Sequence, residues 1–209
     1  MSFDPPWGGR RPHAGRRSAV GSRRQTRVRH DDPVTDALTR AVLETERHVA
    51  ESGWDQPPRL FALVRTAALL RREPALAAQL GPASVAAARS DAEHLTAVEQ
   101  EGVPATSSLE SILGRLAWGP DVDGVALAVE RVVVPPDAER ELPADADAAV
   151  DYLAAHPSRA DVRLLVAVLR DGSHVCALRQ RGHDESGSVA VGPDLVPGLV
   201  SALGSTLED

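Results

Sequence analysis

His174 and Cys176 stand two residues apart in the run 161–181, DVRLLVAVLRDGSHVCALRQR. Residues i and i+2 of a strand share a face, so this spacing could make a thiolate–imidazole pair. A nucleophilic cysteine needs an exposed, electropositive setting that stabilises the thiolate. Cys176 instead has Val175 and Ala177 as neighbours, surroundings in which a free cysteine behaves as a small hydrophobe. The pair is read as core packing. His183, Asp184 and Glu185 offer metal-capable side chains in the loop GHDESGS. Adjacent residues converge on one ion only with help from elsewhere, and no second cluster accompanies them, so the loop is read as solvated. Ser186 lacks the glycine two positions earlier that a nucleophile elbow requires. Glu130, Asp145, Asp147 and Asp151 could supply an acid/base pair, but carboxylates are common in this chain and predict nothing alone. His94 has no second histidine at ligand spacing and reads as a core-edge residue. With no Walker loop and no dinucleotide-binding glycine fingerprint, no catalytic, metal or cofactor site is expected.

The elements that would position these residues are clearer. Asp171-Gly172 favours a two-residue hairpin turn between two β-rich runs. That turn sets Val168 opposite Val175, Ala167 opposite Cys176, Val166 opposite Ala177 and Leu165 opposite Leu178. Both faces of the ribbon are apolar near the turn, the pattern of a hairpin covered on both sides within a layered core.

Ahead of it, Asp32-Pro33 suits the start of a helix whose stripe is Val34, Leu38, Ala41, Val42, Thr45 and Val49, stopped at Gly53. Trp54 is expected to fold back on that stop. Pro57-Pro58 forces an extended chain into a strand over 59–65. Thr66 is placed as a helix cap, Glu73-Pro74 and Gly81-Pro82 as breaks, and 83–100 as a helix with Val85, Ala88, Ala92, Leu95 and Val98 inward. Ser107 and Glu110 have capping-box spacing before a helix over 108–117. Residues 124–136 form the longest strand, with Glu130 and Arg131 where it leaves the core. A helix to Ala155 buries Val150 and Leu153, residues 189–191 add an edge strand, and Asp194 caps a last helix with Leu195, Leu199, Leu203 and Leu207 on one face. The fold class is α+β: a small, mainly antiparallel sheet with the hairpin at 161–181, packed against several helices.

Charge divides the chain. Residues 1–30 hold eight arginines against Asp4, giving +7, and the remainder holds fifteen arginines against twenty-nine acids, giving −14. Residues 1–31 lack periodic apolar positions and are expected to be a disordered tail on a single domain, 32–209. Arg10, Arg11, Arg16, Arg17, Arg23, Arg24, Arg27 and Arg29 could contact nucleic acid or an acidic surface, and nucleic-acid association is confined to this tail because the body is acidic. The apolar runs are too short to span a bilayer, and no apolar segment follows the arginine pairs as an export signal requires. A lone cysteine suits a reducing compartment, so a cytoplasmic location is expected.

Four segments carry a likeness: 44–70 (ETERHVAESGWDQPPRLFALVRTAALL), 116–136 (LAWGPDVDGVALAVERVVVPP), 161–172 (DVRLLVAVLRDG) and 192–207 (GPDLVPGLVSALGSTL). Over about 33–208 the chain resembles an uncharacterised family of small actinobacterial proteins, one with no assigned activity, so no functional residues carry over. The helix-first order also looks broadly similar to secretion-chaperone-like α+β modules, an analogy of architecture only. The expected function is a non-catalytic module that binds a protein partner or itself. An enzyme with a site assembled from scattered residues is the alternative, and weak nucleic-acid association through the tail a third.

Overall fold

The computed structural model describes residues 36–101, 109–114, 116–182 and 188–208. In chain order these form helix α1 (Ala37–Glu51), strand β1 (Arg59–Arg65), helix α2 (Thr66–Arg72), a 3-10 turn (Pro74–Leu76), helix α3 (Ala77–Ser90) and strand β2 (Leu95–Glu99). There follow helix α4 (Leu109–Leu113), strand β3 (Gly124–Val133), helices α5 (Pro136–Glu139) and α6 (Ala146–Ala155), strands β4 (Ala160–Leu169), β5 (His174–Gln180) and β6 (Ala190–Gly192), and helix α7 (Pro197–Ser205). The fold is α+β. Among the described residues the strands build one open antiparallel sheet in the order β2-β1-β3-β4-β5-β6.

Strand alternation divides the core into two layers. Phe61, Leu63, Ala126, Ala128, Leu165, Ala167 and Ala177 form one face and pack against Leu38, Ala41, Val42 and Val49 of α1. Leu60, Val125, Leu127, Val129, Leu164, Val166, Val168 and Cys176 form the other, covered by Leu203 and Leu207 at the C-terminal helix, with Leu109, Leu113 and Trp118 beside them. The middle strands are therefore apolar on both faces, as continuous hydrophobic runs require.

The hairpin register differs from expectation by one residue. Val168 pairs with His174, Val166 with Cys176, Leu165 with Ala177 and Leu164 with Leu178. The loop is the three residues Arg170, Asp171 and Gly172, closed where Leu169 N donates to the Ser173 carbonyl at 2.8 Å. The amide of Arg170 is engaged by the Asp123 carbonyl at 2.9 Å, extending the β3–β4 ladder, so it cannot close a two-residue turn onto β5. Gly172 takes φ 84°, the left-handed residue that such a loop demands. A one-residue slip exchanges faces: Cys176 and Leu178 lie with Leu164 and Val166, while Val175 and Ala177 lie with Leu165.

Other expectations change locally. The N-cap of α1 is Asp36, whose Oδ1 accepts from Thr39 N at 2.8 Å; Asp32-Pro33 lies outside the described residues, as do Ser107 and the Glu110 side chain. Residues 95–99 are a strand, because α3 ends at Ser90 and Asp91 turns the chain into the sheet edge. Thr66 begins α2 without capping it, and its hydroxyl lies 2.8 Å from His94 Nδ1 and 2.7 Å from Thr96 Oγ1. Val150 is 64% exposed, since α6 buries no residue. The N-cap position of α7 is Val196, not Asp194.

Candidate functional site

His174 and Cys176 lie on one face of β5, as their spacing requires, the first at the hairpin mouth and the second in the core. Cys176 is fully buried among the aliphatic side chains under α7, with its thiol 3.6 Å from the Pro193 carbonyl. Burial pushes the thiol pKa up, away from the activated thiolate of a nucleophile. His174 sits at the hairpin mouth with Nδ1 2.9 Å from the Gly172 carbonyl. His183, Asp184, Glu185 and Ser186 lie outside the described residues, as do the eight tail arginines. The four carboxylates are dispersed: Asp145 caps α6 through Ala148 N at 2.9 Å, Asp147 and Asp151 are exposed on that helix, and Glu130 pairs with Arg163 at 2.9 Å. Among the described residues, no group of three or more His, Cys, Asp or Glu could hold a metal ion.

What the fold does bring together is a cleft of about 370 Å³ beside β2. Ala41, Glu44, Thr45 and His48 form its first wall, an i, i+3, i+4, i+7 stripe of α1. Leu80 and Ser84 of α3 form the second, and the strand residues Leu95, Thr96, Ala97 and Glu99 line it with Phe61 and the buried His94. Apolar side chains (Phe61, Leu80, Leu95 and Ala97) mix with Glu44, His48 and Glu99. Arg59 holds Glu99 in a fork, Nε and Nη2 each donating at 2.6 Å to a different carboxylate oxygen. The same guanidinium lies 3.1 Å from His48 Nε2 and 5.7 Å from the centroid of Phe61. Arg59 holds the Glu99 carboxyl below the usual carboxylate range, against a smaller opposing effect of burial, so it is charged at neutral pH.

The β1–β2 ladder determines which way the backbone of β2 points. Thr66 N donates to the His94 carbonyl at 2.9 Å and Gln100 N to the Leu60 carbonyl at 2.8 Å. Hydrogen-bonded pairs alternate in an antiparallel ladder, so Thr96 and Val98 bond inward to β1. The amides and carbonyls of Leu95, Ala97 and Glu99 point outward from the last strand of the sheet, along the cleft.

A second polar feature lies where α1 ends. Glu130, Arg163 and Arg179 are cross-strand neighbours in a row over β3, β4 and β5. Arg163 opposite Arg179 places like charges together, which is unfavourable by itself. Glu46 of α1 descends on the row and takes Arg179 in a buried fork of 2.6 and 2.7 Å. Arg163, 2% exposed, is bound by Glu130 and the Gly53 carbonyl, and its guanidinium carbon lies 4.5 Å from the Trp54 ring centroid; that of Arg181 lies 5.0 Å from the same ring. Trp54 does fold back, onto two guanidinium groups rather than apolar side chains. This feature fastens the end of α1 to the sheet.

Sequence reasoning overlooked the cleft because its strand was read as helix. One signal was available: LTAVE, residues 95–99, fits period 2 as well as 3.6 and follows the breaker-rich Ser90-Asp91. Comparison with known proteins gives no match to any curated protein and none to any solved structure. A family model does match, over residues 38–208, and by that match the chain belongs to the family of PPA1309-like proteins.

Proposed function

We propose that this chain is a non-catalytic cytoplasmic module that binds an extended segment of a protein partner by adding it as a strand to β2. One observation carries the reading: the outward-facing backbone of Leu95, Ala97 and Glu99 coincides with a cleft between that strand and two helices. An added strand takes affinity from main-chain hydrogen bonds and specificity from pockets that receive alternate side chains. Here the cleft supplies the pocket. Its volume is at the small end for a ligand site, which suits one or two side chains of a peptide. Glu44 at its wall favours a basic side chain, with an apolar stem against Leu80 and Leu95, while Glu99 is already paired with Arg59. The buried lone thiol of Cys176 supports the reducing compartment.

Selection of displayed random peptides on the full-length chain tests this, with Ala97→Pro as the comparison. The Ala97 amide points away from β1, so proline there removes one outward donor and leaves the internal ladder in place. Selected peptides are expected to lose about tenfold or more in affinity, the effect of roughly 1.4 kcal/mol. Peptides that bind the Ala97→Pro chain as tightly as the parent overturn the proposal.

A further inference from the structure

We infer that the groove between α2 and α3 docks an acidic amphipathic helix of a protein partner. This surface is separate from the strand edge and does not rest on the reading above, since no residue that lines it also lines the cleft beside β2. Three observations support it.

The first is packing that stops short. α2 and α3 pack on each other and on the 3-10 turn between them, yet none of their side chains belongs to either layer of the core. Ala67 and Leu70 of α2, Pro74 of the turn, and Ala77, Val85 and Ala88 of α3 instead line an open groove of about 350 Å³. Of these only Ala88 is buried; Leu70 and Val85 are half-buried and Pro74 is exposed. An apolar surface of this kind with charged residues at its rim marks a site of association.

The second is charge. Each helix presents an i, i+3, i+4 stripe that ends in arginine: Ala67, Leu70 and Arg71 on α2, and Val85, Ala88 and Arg89 on α3. Both arginines are exposed, neither has an ion pair among the described residues, and no acid lines the groove. The body as a whole holds twenty-nine acids against fifteen arginines. Carboxylates on an occupant therefore meet two cations here and repulsion over most of the remaining surface. The third is the backbone. Both walls are helical, with backbone groups turned to intrahelical bonds, so the groove offers no ladder to an extended chain. An occupant must satisfy its own main chain, as a helix does. Its apolar side chains at i and i+4 enter the groove, with Asp or Glu on its flanks toward Arg71 and Arg89.

Selection on the full-length chain from a displayed library of helical peptides, with leucine fixed at i and i+4 and the flanking positions randomised, tests the inference. Selected peptides are expected to carry Asp or Glu beside the leucines. They should lose about tenfold or more in affinity when Arg71→Glu and Arg89→Glu are combined. Exchanging the peptides' acids for Lys should restore binding to that reversed chain, a rescue that a misfolded variant could not show. Val85→Ser should weaken both pairings, whereas Ala97→Pro should weaken neither, because β2 takes no part. Peptides that show no preference for acids overturn the inference, as do peptides that bind the reversed or the Val85→Ser chain unchanged, or that are lost on Ala97→Pro. So does the absence of any helical binder; if vesicles of phosphatidylglycerol then bind through the same two arginines, the surface faces a lipid instead.

Discussion

At the scale of single residues, the decisive arrangement is the fork between Glu46 and Arg179, both buried. Two charges removed from water meet in one bidentate fork, and removing Glu46 takes that carboxylate from a buried guanidinium. Glu46→Leu should therefore destabilise the protein by roughly 3–5 kcal/mol, whereas Glu46→Leu combined with Arg179→Met should recover most of that loss. Denaturant midpoints of the two variants decide; a double variant no better than the single one shows that Arg179 acts beyond this pair. The row of Glu130, Arg163 and Arg179 was only half legible in the sequence. Charged residues at the ends of apolar runs read as strands leaving the core, and for Glu130 and Arg131 the loss of burial along β3 agrees. Arg163 and Arg179 instead stay inside, because α1 brings Glu46 and the chain after α1 brings the Gly53 carbonyl. Neither partner lies close in sequence, so nothing local could reveal it. Cys176 was legible for the opposite reason, since its apolar strand neighbours already implied a packed thiol.

At the scale of elements, β2 is the strand with most at stake, joined to β1 by its ladder and by the Arg59–Glu99 fork. Glu99 has a lowered pKa in the folded state through Arg59. A depressed carboxylate contributes stability that is complete above its unfolded value and lost as pH falls through the folded one. Parent and Glu99→Gln should thus differ at neutral pH and converge as pH drops below about 4. Because the carboxylate is partly solvent-exposed the difference is small, and urea titrations across that range measure it. Persistence of the full difference into acid means that packing, not charge, supplies it. Strands β1, β3, β4 and β5 could be read from apolar runs and their proline and glycine limits. The hairpin register could not, because it depends on the Asp123 carbonyl holding the Arg170 amide, a contact made across the sheet. The burial assigned to Val150 failed similarly: amphipathic spacing marks a face, but only tertiary packing determines whether that face is covered.

At the scale of the whole molecule, protection should grade outward from the middle of the sheet. β3 and β4 are paired on both sides and packed on both faces, whereas β2 and the three-residue β6 form the edges. Native-state exchange is expected to place inward-bonded amides of β3 and β4 near the global unfolding free energy and those of β6 well below it. Equal protection across all strands would show a single cooperative unit. The indole of Trp54, caught between Arg163 and Arg181, adds an optical consequence. Any event that lifts the end of α1 takes both cations from the ring at once and wets it. With Trp7 and Trp118 replaced by Phe, emission from that remaining indole can therefore time the detachment of a helix end.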